Sequence, residues 1–179
     1  MFERTYIMKN KKRDTLSYLI VIFLLMPLIS SCGYRMVGST FLPFQSIYIK
    51  QVVNRTYEPR LEERLHDALS REFIRQGIEV RSSSAESELE AVVTSFELGA
   101  IAAVDDVVQE QELLMSVDIK LIEGERVIEF MGMRSPIRIT FQATGTVSEN
   151  VANKDAATDR ACTEIAEEIV GRINISYAK

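Results

Sequence analysis

The stretch VQEQELLMSVDIKLIEGERVIEF, residues 108–130, decides the fold. From Met115 the apolar residues fall at every second position, Met115, Val117, Ile119 and Leu121, with Ser116, Asp118 and Lys120 between them. Side chains of a strand alternate between its faces, so this period of two predicts a strand over Val108–Ile122, one face in a core and one in water. Glu123-Gly124 then reads as a hairpin turn, and Arg126–Phe130 begins the returning strand. Pro136 has no N–H to give a ladder, so the strand bulges or lies at an edge there. Ile137, Ile139 and Phe141 resume alternation against Arg138, Thr140 and Gln142.

Working outward, Leu89–Leu98 carries Val92, Val93 and Phe96 and reads as another strand, after a polar loop at Ser82–Glu88. Gly99–Val107 reads as a small-residue connection whose Asp105 and Asp106 are solvated loop residues. Ser46–Val53 alternates Ile47, Ile49 and Val52 against Tyr48 and Lys50 and is a further strand. Asn54-Arg55-Thr56-Tyr57-Glu58-Pro59 turns the chain into a helix, with proline suited to the first helical position. Leu61, Leu65, Ala68, Leu69 and Phe73 recur at helical spacing as one apolar stripe, and Gly77 ends it. Glu62, Glu63 and Asp67 in its first half and Arg71 and Arg75 in its second suit the helix dipole.

Gly145–Asn150 breaks the downstream pattern, and from about Asn153 the chain reads as a second helix lined by Cys162, Ile165, Ala166, Ile169 and Ile173. Cys162 is therefore expected in the core as a small hydrophobe. The order β-α-β-β-β-α, with two amphipathic helices and a sheet bearing one apolar face, predicts an α+β two-layer sandwich. Its two helices pack on one face of a four-stranded mixed sheet.

The N-terminus has the three parts of an export signal. Lys9, Lys11, Lys12 and Arg13 form a positive patch, Leu16–Leu28 is largely apolar, and Ile29-Ser30-Ser31-Cys32 closes the segment. Small residues admit a peptidase, and the cysteine sulfur can take a diacylglyceryl group. The apolar run is shorter than the roughly 20 residues a spanning helix needs. The expectation is a signal peptide at 1–31 removed on export, a lipidated N-terminus and tether at 32–45, and one domain at 46–179. Met8 is an alternative start. Diacylglyceryl and N-acyl (palmitate-type) groups on Cys32 would be the only covalent additions, and several chains hold a membrane firmly. With Gly33 rather than aspartate after the cysteine, the expected address is the outer membrane, periplasmic face.

Removing residues 1–31 takes five of the 21 basic residues and two of the 26 acidic ones, leaving 16 against 24, a net charge of −8. Such a balance argues against nucleic acid, whose binders need a basic face. Between Arg81 and Lys120 there is no Lys or Arg, whereas Lys120, Arg126, Arg134 and Arg138 follow with few acids among them. An anionic ligand would meet that second stretch. Catalytic chemistry is not expected. His66 is the sole histidine and has no cysteine or second histidine beside it to complete a metal site, and there is no phosphate loop or nucleophile elbow. With Cys32 acylated, Cys162 has no disulfide partner.

Cys32-Gly33-Tyr34-Arg35, the Asn54–Pro59 turn before Leu61-Glu62, and the Ala-, Glu- and Ile-rich segment Asp159–Ile173 together resemble the LPS-assembly lipoprotein family LptE, in a divergent form, over about residues 32–175. The resemblance implies two helices on a four-stranded sheet. It also implies a non-catalytic role as plug and chaperone of the outer-membrane β-barrel LptD in delivering lipopolysaccharide to the cell surface, with lipopolysaccharide itself as a ligand. Lys120, Arg134 and Arg138 are the candidate contacts to the lipid phosphates, being basic and on or near exposed strand faces. The competing expectations are an accessory lipoprotein of another envelope lipid-transport system and a non-catalytic envelope scaffold.

Overall fold

A computed structural model describes residues 42–104, 107–134 and 139–178. The strands are β1 (Ser46–Ile49), β2 (Val53–Asn54), β3 (Glu79–Val80), β4 (Ser87–Val104), β5 (Val107–Glu123), β6 (Arg126–Arg134) and β7 (Ile139–Gln142), and the helices are α1 (Leu61–Arg75) and α2 (Val147–Tyr177). The sheet runs β3-β1-β4-β5-β6, with β2 also on β4 and β7 also on β5. β1 and β2 lie parallel to β4 along one of its sides. β6 and β7 lie antiparallel to β5 along its outer side. The four expected strands are thus four tracks, two of them broken, and β3 adds a short parallel edge. Two helices on a mixed open sheet make the α+β sandwich that the alternation and the helical stripes predict.

Three local expectations need correction. The Gly99–Val107 segment is not a connection up to its aspartates. β4 continues through Val104 and pairs with β5 as far as Val104↔Val107, with irregularities at Val93/Ser95, Ala100/Ala102 and Ala102/Ala103. Small residues carry no readable alternation, and the partner strand supplies the ladder instead. Asp105, Asp106, Pro136 and Arg138 lie outside the described residues.

The second helix begins at Val147, not near Asn153. Thr146 and Glu149 form a reciprocal capping box, with Glu149 N–H donating to Thr146 Oγ1 at 3.3 Å and Thr146 N–H donating to Glu149 Oε2 at 2.7 Å.

At α1 the residue before the helix is Arg60, in the left-handed region at φ 61°, so Pro59 is not at the first helical position. The other end follows expectation. Gly77 at φ +83° lets Ile78 N–H reach the Phe73 carbonyl (3.0 Å) and Gly77 N–H the Ile74 carbonyl (2.9 Å), a Schellman closure.

All the large apolar residues of β5's inner face, Leu113, Met115, Val117, Ile119 and Leu121, are buried with Leu65, Leu69 and Phe73 of α1 and Ile165, Ile169 and Ile173 of α2. Truncating one such leucine or isoleucine to alanine costs roughly 2–5 kcal/mol. Leu42 and Phe44, within the stretch expected as tether, are buried in the same core. Cys162 is there as well, 1% exposed, and burial pushes its thiol up to about 12.

Arg64 joins the helices, donating to Asp155 Oδ1 at 2.8 Å and Asp159 Oδ1 at 3.0 Å. At the far end of α2, Tyr177 donates to Glu123 Oε2 at 2.6 Å and its ring lies 4.2 Å from the Arg126 guanidinium carbon. The C-terminal turn is thereby fastened to the β5–β6 hairpin. Among the described residues, no helix is long and apolar enough to cross a membrane.

Candidate functional site

Because β5 sends its odd-numbered residues to the helices, its even-numbered ones form the opposite face of the sheet. Among the described residues, no helix covers that face. The cross-strand register lines up Glu90 of β4, Lys120 of β5 and Glu129 of β6. Lys50, just past β1, extends the row, with Nζ 2.5 Å from Glu88 Oε1 and 2.7 Å from Glu90 Oε1. Lys120 Nζ is 3.6 Å from Glu129 Oε1. The result is a row of alternating sign across the sheet, built from the directly opposed pairs that interact most strongly.

Its electrostatics follow from those contacts. Hydrogen bonds to Glu88 and Glu90 raise the Lys50 ammonium above its ordinary value. The Lys50 hydrogen bond, helped by the charges of Lys50 and Lys120, holds the Glu90 carboxyl below the usual range.

A shallow pocket of about 280 Å³ opens on this face. Arg55 and Lys120 supply positive charge, Glu90, Asp118 and Glu129 negative charge, and Val92 and Met131 the apolar side chains, while Ile119 borders it with its side chain in the core on the other face. Asp118 is partly engaged by the backbone: Gly132 N–H donates to its Oδ1 at 2.7 Å. Gly132 sits at φ +60° where two β6 residues oppose Asp118, a bulge conformation that glycine takes without strain. Met131, 72% exposed, stands beside that bulge.

Of the residues expected to meet lipid phosphates, Lys120 lines the pocket. Arg134 pairs with Ser116 and so projects from the same face. It is four β5 positions from Lys120, roughly 14 Å at strand rise, so the two do not share one pocket. Arg138 and the lipidation candidate Cys32 lie outside the described residues. His66 borders a separate pocket of about 300 Å³ with Glu62, Glu63 and Asp67. Among the described residues, no group of three or more His, Cys, Asp or Glu converges as for a metal ion.

Arg55 is a pocket residue the sequence reading did not single out. Its place follows from the turn around it. Asn54 accepts from Thr56 N–H at 2.9 Å and donates through Nδ2 to the Glu58 carbonyl at 2.8 Å and to Glu62 Oε2 at 2.9 Å. Asn-x-Thr is the sequence signal for that side-chain-closed turn. The site can recognise a ligand through charge and shape: it offers two cations set among carboxylates around a small apolar floor.

The family model described as LptE, Lipopolysaccharide-assembly, matches residues 44–173. No curated protein matches the chain. Among solved structures, a chain described as a lipoprotein of Caulobacter crescentus is similar at 22% identity and TM-score 0.52, covering 79% of this chain and 95% of that one. The rare lipoprotein B of Shewanella oneidensis is similar at 12% identity and TM-score 0.53, covering 73% and 96%. Lipoprotein B of Nitrosomonas europaea is similar at 16% identity and TM-score 0.51, covering 78% and 88%. At these identities the structural likeness speaks for the fold.

Proposed function

The chain belongs to the LptE family of lipopolysaccharide-assembly proteins, and from that premise we propose that it is an outer-membrane lipoprotein that partners the β-barrel LptD. Anchored through acyl groups on Cys32 at the periplasmic face, it would serve as plug and chaperone of the barrel during delivery of lipopolysaccharide to the surface. The observation that carries this reading is the family match over residues 44–173, nearly all of the packed domain. The architecture supports it: one sheet face is spent on the helices, and the other stays available for a binding role that needs no catalytic step. The cysteine that ends an apolar N-terminal run supports the anchor.

Lipopolysaccharide phosphates would engage Lys120, Arg134 and Arg138. Since Lys120 is already beside Glu129, a phosphate must compete with a carboxylate there, which makes the contact weaker than that of a bare basic patch. Replacing all three with alanine should weaken lipopolysaccharide binding in vitro, and unchanged affinity removes this assignment. The partnership is tested by purifying the acylated protein in detergent. A stable complex with a large β-barrel is expected. A complex with components of another lipid-transport system, or with envelope proteins that move no lipid, supports the competing readings. Palmitate labelling of the wild type, lost in Cys32→Ser, tests the anchor.

A further inference from the structure

β4 is 18 residues long, and its two sides are not equally used. One side pairs with β5 along nearly its whole length. The other is occupied by β1 at Ser87–Leu89 and by β2 at Val92–Val93, and Arg55 N–H donates the last bond, to the Val93 carbonyl at 3.0 Å. There the Asn54-closed turn carries the chain away from the sheet. Among the described residues, no strand pairs with this side of β4 from Ser95 to Ala103. Nine residues at strand rise make an open edge roughly 30 Å long.

Open edges invite pairing, and proteins guard them with lysine, proline or brevity. This one has no lysine or proline and is not short; Glu97 is its one charge, and its register irregularities fall at the far end, at Ala100/Ala102 and Ala102/Ala103, leaving Ser95–Ala100 regular. Leu98–Ala103 reads LGAIAA, uncharged and without proline, with Gly or Ala at four of its six positions. Leu98 and Ile101 are 43% and 49% exposed. One end of the edge is shaped: a notch of about 400 Å³ lies between the turn residues Arg55–Glu58 and Thr94–Leu98 of β4. Tyr57, at 106% relative exposure, stands on that turn. A tyrosine held by a rigid turn offers a large amphipathic contact at little entropic cost.

We infer that this edge is a strand-addition site, at which an extended segment of the barrel partner pairs with Ser95–Ala103 of β4 and ends against Tyr57. The inference rests on the barrel partnership proposed above. Main-chain hydrogen bonds would supply the affinity, and alternate side chains of the added strand would touch both faces of the sheet. Charge selects the occupant. Between Arg81 and Lys120 the chain has nine acidic residues and no basic one. Edge pairing of two copies would bring two such acidic hairpins together, whereas a segment carrying Lys or Arg is drawn in.

The test uses the full chain co-expressed with the barrel, carrying p-benzoylphenylalanine at Glu97 or at Leu98. These neighbours lie in the regular part of the register, Glu97 opposite Leu114 and Leu98 opposite Leu113, and so face opposite sides of the sheet; a strand added at the edge is within reach of both. Adducts from both positions to one short barrel segment are the expected result. Ala102→Lys should lower the Leu98 adduct yield roughly tenfold by blocking the edge, with its melting midpoint measured alongside. The paired adducts decide the matter if that variant folds poorly. If the complex forms but adducts come from one position only, or from neither, edge pairing is overturned while the barrel partnership stands. Adducts between two copies of this chain overturn it as well. If no barrel co-purifies, the partnership fails and the inference fails with it.

Discussion

Replacing Gly145 with alanine probes why α2 starts where it does. Gly145 sits at φ +106°, and a Cβ built there would lie 2.5 Å from Glu149 Oε2, the oxygen that accepts the Thr146 N–H. Two costs follow. An L-residue in that backbone region loses roughly 1 kcal/mol or somewhat more, and displacing the Glu149 carboxylate undoes the capping box, worth about 1 kcal/mol. Gly145→Ala is therefore expected to destabilise by roughly 2 kcal/mol, a fall in melting midpoint of about 4–8 °C for a domain of this size. Thr146→Ala should cost about 1 kcal/mol. The double variant should cost roughly 2 rather than 3 kcal/mol, because the box can be lost only once. Urea titration of all four proteins measures this. Additive losses, or a Gly145→Ala effect indistinguishable from zero, would show that the box does not hold the first turns of α2.

Arg64→Ala should cost roughly 1–2 kcal/mol: the guanidinium, 20% exposed, bonds two carboxylates, but those are 49% and 64% exposed and screened by solvent. A double-mutant cycle with Asp155→Ala checks it, and zero coupling would contradict the helix–helix tie. Acid should act through the carboxylates whose folded-state values are depressed. These are Glu62 by its own N–H and Asn54, Glu79 by Arg81, Glu90 by Lys50, and Glu149 by the Thr146 N–H. Such groups favour the folded state above their ordinary value of 4.5 and lose that contribution as pH falls through the folded ones. Melting midpoints should begin to drop only beneath about pH 4.5, and a loss setting in near pH 6 would contradict this origin. Cys162, 1% exposed with its thiol pushed up to about 12, should resist an aromatic disulfide reagent at pH 8 until the domain is unfolded. Rapid labelling of the folded protein would place it outside the core.

Much of this fold can be read directly from residue spacing. The period of two at Met115–Leu121 and the stripes at Leu61–Phe73 and Cys162–Ile173 each name the face that is buried. The distal half of the β4–β5 hairpin was hidden because Gly99–Ala103 carries almost no polar/apolar contrast, and its pairing partner is set by β5 rather than by its own pattern. The early start of α2 was legible in principle: Thr146-Val147-Ser148-Glu149 has the spacing of a capping box, but Val147 and Val151 are exposed and extend no buried stripe. At the open face, alternation marked Lys120 as outward-facing. That it stands between Glu90 and Glu129 depends on strand register, which one strand's sequence does not contain. Arg55 reaches the pocket through the Asn54 turn, a local signal whose consequence appears only beside β4.

The most direct test of the central proposal is detergent extraction of membranes from cells producing the protein, followed by affinity purification and identification of what remains bound. The expected result is a complex with a large β-barrel that survives the detergent, accompanied by loss of surface lipopolysaccharide when the protein is depleted. Recovery of the protein without a barrel, with surface lipopolysaccharide unchanged on depletion, would contradict it.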